Sequence, residues 1–288
     1  MATAQEPKLF FGQDMVQAVV CPFAAGEAAV FSASSPAKDT SNEDSAGLIP
    51  LDDGTGILAV ADGMGGGAAG EHASQLAIRT LRSSMESVER DEVPLRDAIL
   101  NGIEKAHQAV TDLGVGAGTT LAVAEIHGHT VRTYHVGDSM ILLVGNRGKI
   151  KLQTVSHSPV GYAVEAGVLD EADALHHEDR HIVSNVVGLP NMRVEVGSVV
   201  ELKPRDTLLL ASDGLFDNLH IQEIVECIRK GPLVRAVQRL AKDANERMTD
   251  PTGDEPSKSD DLTFVAFRLN SPRRASRATS NGNGNGKG

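Results

Sequence analysis

Apolar and polar positions alternate between two rhythms along the chain. Residues 57–61, 207–211 and 262–267 are continuous apolar runs of strand length, the pattern of strands buried on both faces. Weaker strand patterns cover 15–20 and 27–32, and 32–41 reads as a Ser-rich loop around Pro36. After the glycines at 65–67 the period becomes helical. Ala73, Leu76, Ala77, Thr80, Leu81 and Ser84 share one face. A second helix is predicted after Pro94, with Leu95, Ala98, Ile99, Ile103, Ala106 and Val110 inward and an end near Gly114.

Strands follow at 119–126 and 130–136 around the turn His127-Gly128-His129, then at 139–144 and 149–154 around residues 145–148. Residues 155–190 carry many histidines and acids with little periodicity, and read as an irregular, lid-like insertion. Strands resume at 193–201 and 207–211, helices are predicted at 221–228 and 233–247, and a loop at 248–259 leads to the last strand. Strands, then two helices, then strands again argue for layered α+β with antiparallel sheets rather than a parallel βα alternation. Residues 271–288, basic and then an Asn-Gly repeat, cannot bury enough surface to order themselves and read as a disordered tail. The expected organisation is one domain over 1–270, with 155–190 as its lid.

Composition narrows the function classes. The chain has 288 residues, is 41% hydrophobic but only 3% aromatic, and lacks tryptophan, so its core must be aliphatic. A net charge of −12 argues against nucleic-acid binding, which needs a basic surface. No segment approaches the ~20 apolar residues of a membrane span. No secretory leader pattern opens the chain, and a cytoplasmic location is expected. Cys21 and Cys227 lack metal-ligand spacing and read as two free buried thiols.

Four acidic motifs carry the chemistry: Asn42-Glu43-Asp44, Asp62-Gly63-Met64, Ser212-Asp213-Gly214 and Asp260-Asp261-Leu262-Thr263. Three adjoin the buried-strand runs. A carboxylate at the end of a buried strand is costly unless it is paired or binds a metal. Several converging carboxylates repel one another until a hard divalent cation joins them, and carboxylates with a backbone carbonyl are a ligand set for magnesium or manganese.

Together with Gly118-Thr119-Thr120 and Gly137-Asp138-Ser139, in this order, the motifs resemble the metal-dependent serine/threonine protein phosphatases of type 2C, and the bacterial-style members most, since Met64 stands where many others have histidine. The resemblance spans roughly residues 39–269. It implies a four-layer α-β-β-α sandwich of two antiparallel sheets flanked by helices. It implies two Mn2+ or Mg2+ ions, with Asp62 bridging them, the Gly63 carbonyl as a further ligand, Asp213 and Asp260 on the first ion, and Glu43, with Asp44 through water, on the second. Asp138 matches a residue that binds a third, weaker ion in some members. The implied reaction is hydrolysis of phosphoserine and phosphothreonine by a metal-bridging hydroxide, with no protein nucleophile. Asp62 and Asp213 then act through the bridging water, and the enzyme reverses a serine/threonine kinase. The expected partner is a phosphorylated protein, a kinase or its target, with the chain itself a monomer.

Two positions depart from the family pattern. No arginine precedes the first motif, and Lys38 offers only a point charge for the substrate phosphate. Met64 supplies no proton to the leaving group. Two other readings remain: an inactive phosphoprotein-binding module, which loss of ligand carboxylates would mark, and a hydrolase of small phosphoesters on the same scaffold. His176, His177, Asp179 and His181 also invite a zinc reading, but their spacing fits no dedicated zinc motif, and a solvated lid is the preferred account.

Overall fold

The structure is a computed structural model and describes residues 5–270 other than 91 and 115. The tail expected over 271–288 lies outside the described residues. The chain opens with β1 (Lys8–Phe11), β2 (Val19–Phe23), β3 (Gly26–Ala33), β4 (Ser45–Pro50), β5 (Thr55–Ala61) and the two-residue β6 (Gly63–Met64). Helices α1 (Ala68–Ser84), α2 (Glu86–Glu89) and α3 (Leu95–Thr111) follow. Then come β7 (Gly118–Thr119), β8 (Leu121–His127), β9 (Thr130–Val136), β10 (Met140–Val144) and β11 (Ile150–Gln153). The insertion carries α4 (Pro159–Glu165) and α5 (Glu171–Ala174), and leads to β12 (Glu195–Val196) and β13 (Val200–Glu201). The chain closes with β14 (Thr207–Ala211), α6 (Asp213–Phe216), α7 (Ile221–Ile228), α8 (Leu233–Thr249) and β15 (Leu262–Leu269).

Two antiparallel sheets form the centre. One runs β1-β4-β5-β8-β9 and ends in β12, with β13 also on β9; the other runs β11-β10-β14-β15-β3-β2. Alternation along each strand explains the layers. Leu58 and Val60 of β5 face Leu208 and Leu210 of β14 and Val265 and Phe267 of β15 across the gap between the sheets. Ile57, Ala59 and Ala61 point the other way, against Ala77, Ile78 and Leu81 of α1 and Ile99 and Ile103 of α3. On the far side Leu209, Phe264 and Ala266 pack under Ile224 and Val225 of α7 and Val237, Leu240 and Ala244 of α8. Three apolar clusters between four layers make the expected α-β-β-α sandwich. Both faces of the central strands are buried, so those strands read as unbroken apolar runs.

Local differences have physical reasons. β1 and β4 escape sequence reading because β1 is four residues long and β4 is broken by Gly47 and ends at Pro50. The early strand expected at 15–20 begins instead at Val19. The strand expected over 193–201 is two short pairings on β9, interrupted around Gly197, whose N–H donates to the Thr133 carbonyl. The insertion is less irregular than its sequence suggests, since Ser158 caps α4 by accepting from the Gly161 N–H at 2.9 Å, with Pro159 in the first turn. Both cysteines are free, as expected, but only Cys21 is fully buried. Among the described residues no helix is long and apolar enough to cross a membrane.

Candidate metal centre

The antiparallel register brings the acidic motifs to one end of both sheets. In the first sheet Ser45, which follows Glu43-Asp44, lies opposite Ala61, which precedes Asp62. In the second, Ala211 pairs with both Met140 and Phe264, so Asp138, Asp213 and Asp260-Asp261 leave adjacent strand ends. The sequence-predicted residues are therefore brought together, although from five separate parts of the chain.

Hydrogen bonds between the motifs hold each loop in place. The Asp62 N–H donates to Thr120 Oγ1 at 2.9 Å, and the Asp62 carbonyl accepts from the Thr120 N–H at 2.9 Å and from Thr119 Oγ1 at 2.8 Å. Thr120 Oγ1 also lies 2.6 Å from Ser139 Oγ, which ties the Gly118-Thr119-Thr120 motif to Gly137-Asp138-Ser139. The two threonines thus serve as a clamp on the Asp62 backbone, a role their β-propensity alone does not reveal. Ser212 Oγ donates to Asp44 Oδ2 at 2.8 Å. Asp261, the structural member of its pair, accepts from the Ser35 and Glu43 N–H groups at 2.8 Å each.

Glu43 and Asp44 face different ways, as expected. Asp44 turns to Ser212, and Glu43 turns towards α1. There Gly63 and Gly70 meet back to back: a Cβ on Gly63 would stand 2.1 Å from the Gly70 carbonyl, and one on Gly70 would stand 2.3 Å from Glu43 Oε1 and 2.8 Å from the Gly63 carbonyl. The close approach sets a carboxylate oxygen and a carbonyl oxygen, both predicted ligands, against the same glycine.

The electrostatics are those of an anionic site short of cations. Burial, then Asp44, Asp213, Asp138 and Asp260, push the Asp62 carboxyl well above the usual carboxylate range. Burial and Asp261 do the same to Asp44. Burial, then Asp213 and Asp217, push Asp138 up to about 8. Burial also raises Glu43, against the pull of Lys38. Among the described residues, two buried carboxylate oxygens, Glu43 Oε1 and Asp213 Oδ1, have no hydrogen-bond partner. Orphaned hard oxygens among like charges are what a divalent cation satisfies, so the residues present fit the implied metals.

Three residues escaped sequence reading. Asp217, one helical turn after Asp213, has its carboxyl pushed up to about 6 by burial and by Asp213. Lys258, on the last loop, bonds Asp213, Asp217 and Asp260. Arg180 of the insertion donates to the Ser257 carbonyl at 2.8 Å. The Asp213–Asp217 spacing was a visible signal; a lysine two residues before the last motif had no pattern to announce it. Lys38 does reach the site, but its Nζ is held by Glu43 at 3.3 Å, Asp261 at 3.4 Å and Asp260 at 3.5 Å. A cavity of about 850 Å3 opens beside the centre, between the insertion and α6–α7, and is lined by Asp138, Asp213, Asp217 and Arg180 among others.

Among the described residues, the ligand atoms of His176, His177, Asp179 and His181 do not form a group of three. The group of three whose ligand atoms do lie within 4.8 Å of one another, among the described residues, is His135, His157 and Glu195. Its hydrogen bonds oppose metal binding. His157 Nδ1 accepts from the Gly137 N–H at 3.1 Å and from Asn185 Nδ2 at 2.8 Å, and the Arg193 backbone fixes the Asn185 amide on both sides. The ring proton therefore sits on Nε2, facing Glu195 Oε2 at 3.3 Å, where a ligand would need a lone pair. This cluster braces the insertion.

The sequence profile of the protein phosphatase 2C family matches residues 33–250. The chain is similar to the serine/threonine phosphatase stp of Listeria monocytogenes, 33% identical over 200 residues that cover 65% of this chain and 77% of the relative. Among solved structures it is similar to the Streptococcus agalactiae serine/threonine phosphatase, with a TM-score of 0.73 at 28% identity, covering 85% of this chain and all of the other. It is also similar to the catalytic domain of the serine/threonine protein phosphatase PstP in complex with two manganese ions, with a TM-score of 0.63 at 26% identity over 84% of this chain and 96% of the other.

Proposed function

The chain belongs to the protein phosphatase 2C family, and from that premise we propose that it removes phosphate from phosphoserine and phosphothreonine in proteins with the help of two Mn2+ or Mg2+ ions. The observation that carries the reading is the gathering of Glu43, Asp62, Asp138, Asp213 and Asp260 at one end of the sandwich, with Glu43 Oε1 and Asp213 Oδ1 buried and unpartnered. Asp62 would serve both ions, with the Gly63 carbonyl as a further ligand; Asp213 and Asp260 would hold the first ion, and Glu43, with Asp44 through water, the second. Bound there, the ions supply Lewis acidity, which lowers the pKa of water and offsets phosphate charge.

The protein's own part is positioning. Thr119 and Thr120 fix the Asp62 backbone, Ser212 orients Asp44, and Asp261 ties the Glu43 backbone to the loop before β15. Lys38, about one-third exposed at the rim, presents one positive charge to an incoming phosphate. Met64 has no proton to give, so the leaving serine or threonine oxygen takes its proton from water. Residues 1–270 act as one catalytic unit, and 155–190 is the lid that meets the substrate protein, a kinase or kinase target, above the adjoining cavity. All the predicted ligand carboxylates are present, which disfavours the inactive binding module.

The test is turnover of a phosphothreonine peptide with and without Mn2+, beside Asp62→Asn and Asp213→Asn. Loss of groups behind metal ligands lowers activity 10–100-fold, so loss of a direct ligand is expected to lower kcat/KM by more than ~100-fold. Metal-independent turnover, or full activity in both variants, overturns the assignment. Turnover of small aryl phosphates alone would move it to a small-phosphoester hydrolase.

A further inference from the structure

Lys258 has the environment of a bound ion rather than of a surface lysine. Its Nζ bonds Asp213 Oδ2, Asp217 Oδ2 at 2.9 Å and Asp260 Oδ2 at 3.2 Å, and its side chain is only 20% exposed. The acceptors come from two separate parts of the chain, α6 with its following residue and the loop before β15. The lysine backbone is clamped on both sides by fully buried Asn218. Asn218 Oδ1 accepts from the Lys258 N–H at 2.8 Å, and Asn218 Nδ2 donates to the Lys258 carbonyl at 2.9 Å and to the Gly214 carbonyl at 2.9 Å. The ammonium is thereby referenced to the same turn that carries Asp213 and Asp217.

The oxygens of Asp213 are divided accordingly. Oδ2 is taken by the lysine, and Oδ1 is buried without a partner. Asp138 lines the same cavity as Asp213 and Asp217. A monovalent ammonium on a fixed stem can neutralise such a corner and occupy its space at once, and a hydrated divalent ion cannot share that space.

We propose that Lys258 is a tethered cation that fills the corner formed by Asp138, Asp213 and Asp217, keeps a third divalent ion out of it, and leaves the two ions to Asp62, the Gly63 carbonyl, Glu43, Asp260 and the unpartnered Asp213 Oδ1. The inference rests on the metal-site reading above. It replaces the weaker third ion, expected at Asp138 from family resemblance, with a side chain.

The experiment counts bound Mn2+ on the full chain, by calorimetric titration and by the electron paramagnetic resonance signal of free Mn2+, for wild type, Lys258→Met, Lys258→Arg and Asp62→Asn. Wild type and Lys258→Arg are expected to bind the same number of ions, and Lys258→Met to bind one more, weakly. In EDTA, Lys258→Met is expected to melt below wild type, and excess Mn2+ to restore it. An additional weak Mn2+ site already present in wild type overturns the inference, and this arm needs no variant to fold. An unchanged count in Lys258→Met also overturns it, while Mn2+ binding lost only in Asp62→Asn leaves the metal-site reading standing. No Mn2+ binding by wild type removes both.

Discussion

Gly70 shows how much of the centre rests on a missing side chain. It sits in the first turn of α1, where helix propensity alone favours alanine by ~1 kcal/mol. Yet a Cβ there would stand 2.3 Å from Glu43 Oε1 and 2.8 Å from the Gly63 carbonyl. Gly70→Ala is therefore expected to weaken Mn2+ affinity by roughly 10–100-fold, as displaced ligands do, while the helix content seen by circular dichroism holds. Unchanged affinity in a titration would mean that neither oxygen is a ligand. The glycine was invisible in the sequence because its role depends on a helix meeting a strand end. The carboxylates were legible because acids next to buried apolar runs have few structural uses. Lys258 was not, because nothing in Lys258-Ser259-Asp260 says that the side chain folds back onto Asp213 and Asp217.

At the scale of elements, strand ends were readable where a strand buried on both faces is also an unbroken apolar run, as in β5, β14 and β15 but not in β4 with its Gly47 and Pro50. They were lost where pairing alone makes the strand, as in β1 and β12. The insertion was legible as a departure from periodicity but not as a braced unit. His157 provides the brace. Its N–H donates to the Gly137 carbonyl at 3.0 Å, its carbonyl accepts from the Ser184 N–H at 2.8 Å, and its ring accepts from the Gly137 N–H. Burial, then the stacked His135 ring, hold the His157 pKa below the ordinary value, with Arg193 adding to this and Glu195 opposing it. A base whose folded pKa is depressed contributes stability above the ordinary histidine pKa of ~6.5, and that stability is lost as pH falls through the lowered folded value. Protonation would put an N–H on Nδ1, against the Gly137 donor. Hydrogen exchange at Gly137 and Ser184, corrected for intrinsic rates, is expected to lose protection as pH falls from above ~6.5 to below the lowered folded value, while exchange in β5 and β14 holds. Equal protection at both pH values would deny His157 this role.

For the whole molecule, metal and fold are coupled. Carboxylates from both sheets share one site, so an ion that binds them bridges the two halves of the sandwich. At a concentration near 100 times Kd, Mn2+ is expected to stabilise the fold by about 2.7 kcal/mol. For a domain of this size that corresponds to a rise of roughly 5–10 °C in Tm. Calorimetry with Mn2+ against EDTA checks this, and Asp62→Asn is expected to abolish the shift. A rise of equal size in Asp62→Asn would place the stabilising ion elsewhere. The four layers themselves followed from alternating strands and helical periods, whereas the pairing order of the sheets depends on contacts that no local pattern records. The aliphatic core has an optical consequence. With no tryptophan, ultraviolet emission comes from two tyrosines. Tyr134 is buried in β9 with its hydroxyl donating to Glu125 Oε2 at 2.6 Å, a carboxylate contact that quenches phenol emission. Tyr162 lies in α4, partly exposed, with the Arg193 guanidinium 5.8 Å from its ring centre. The unmodified protein therefore carries its own fluorescent reporter on α4, against a nearly dark background.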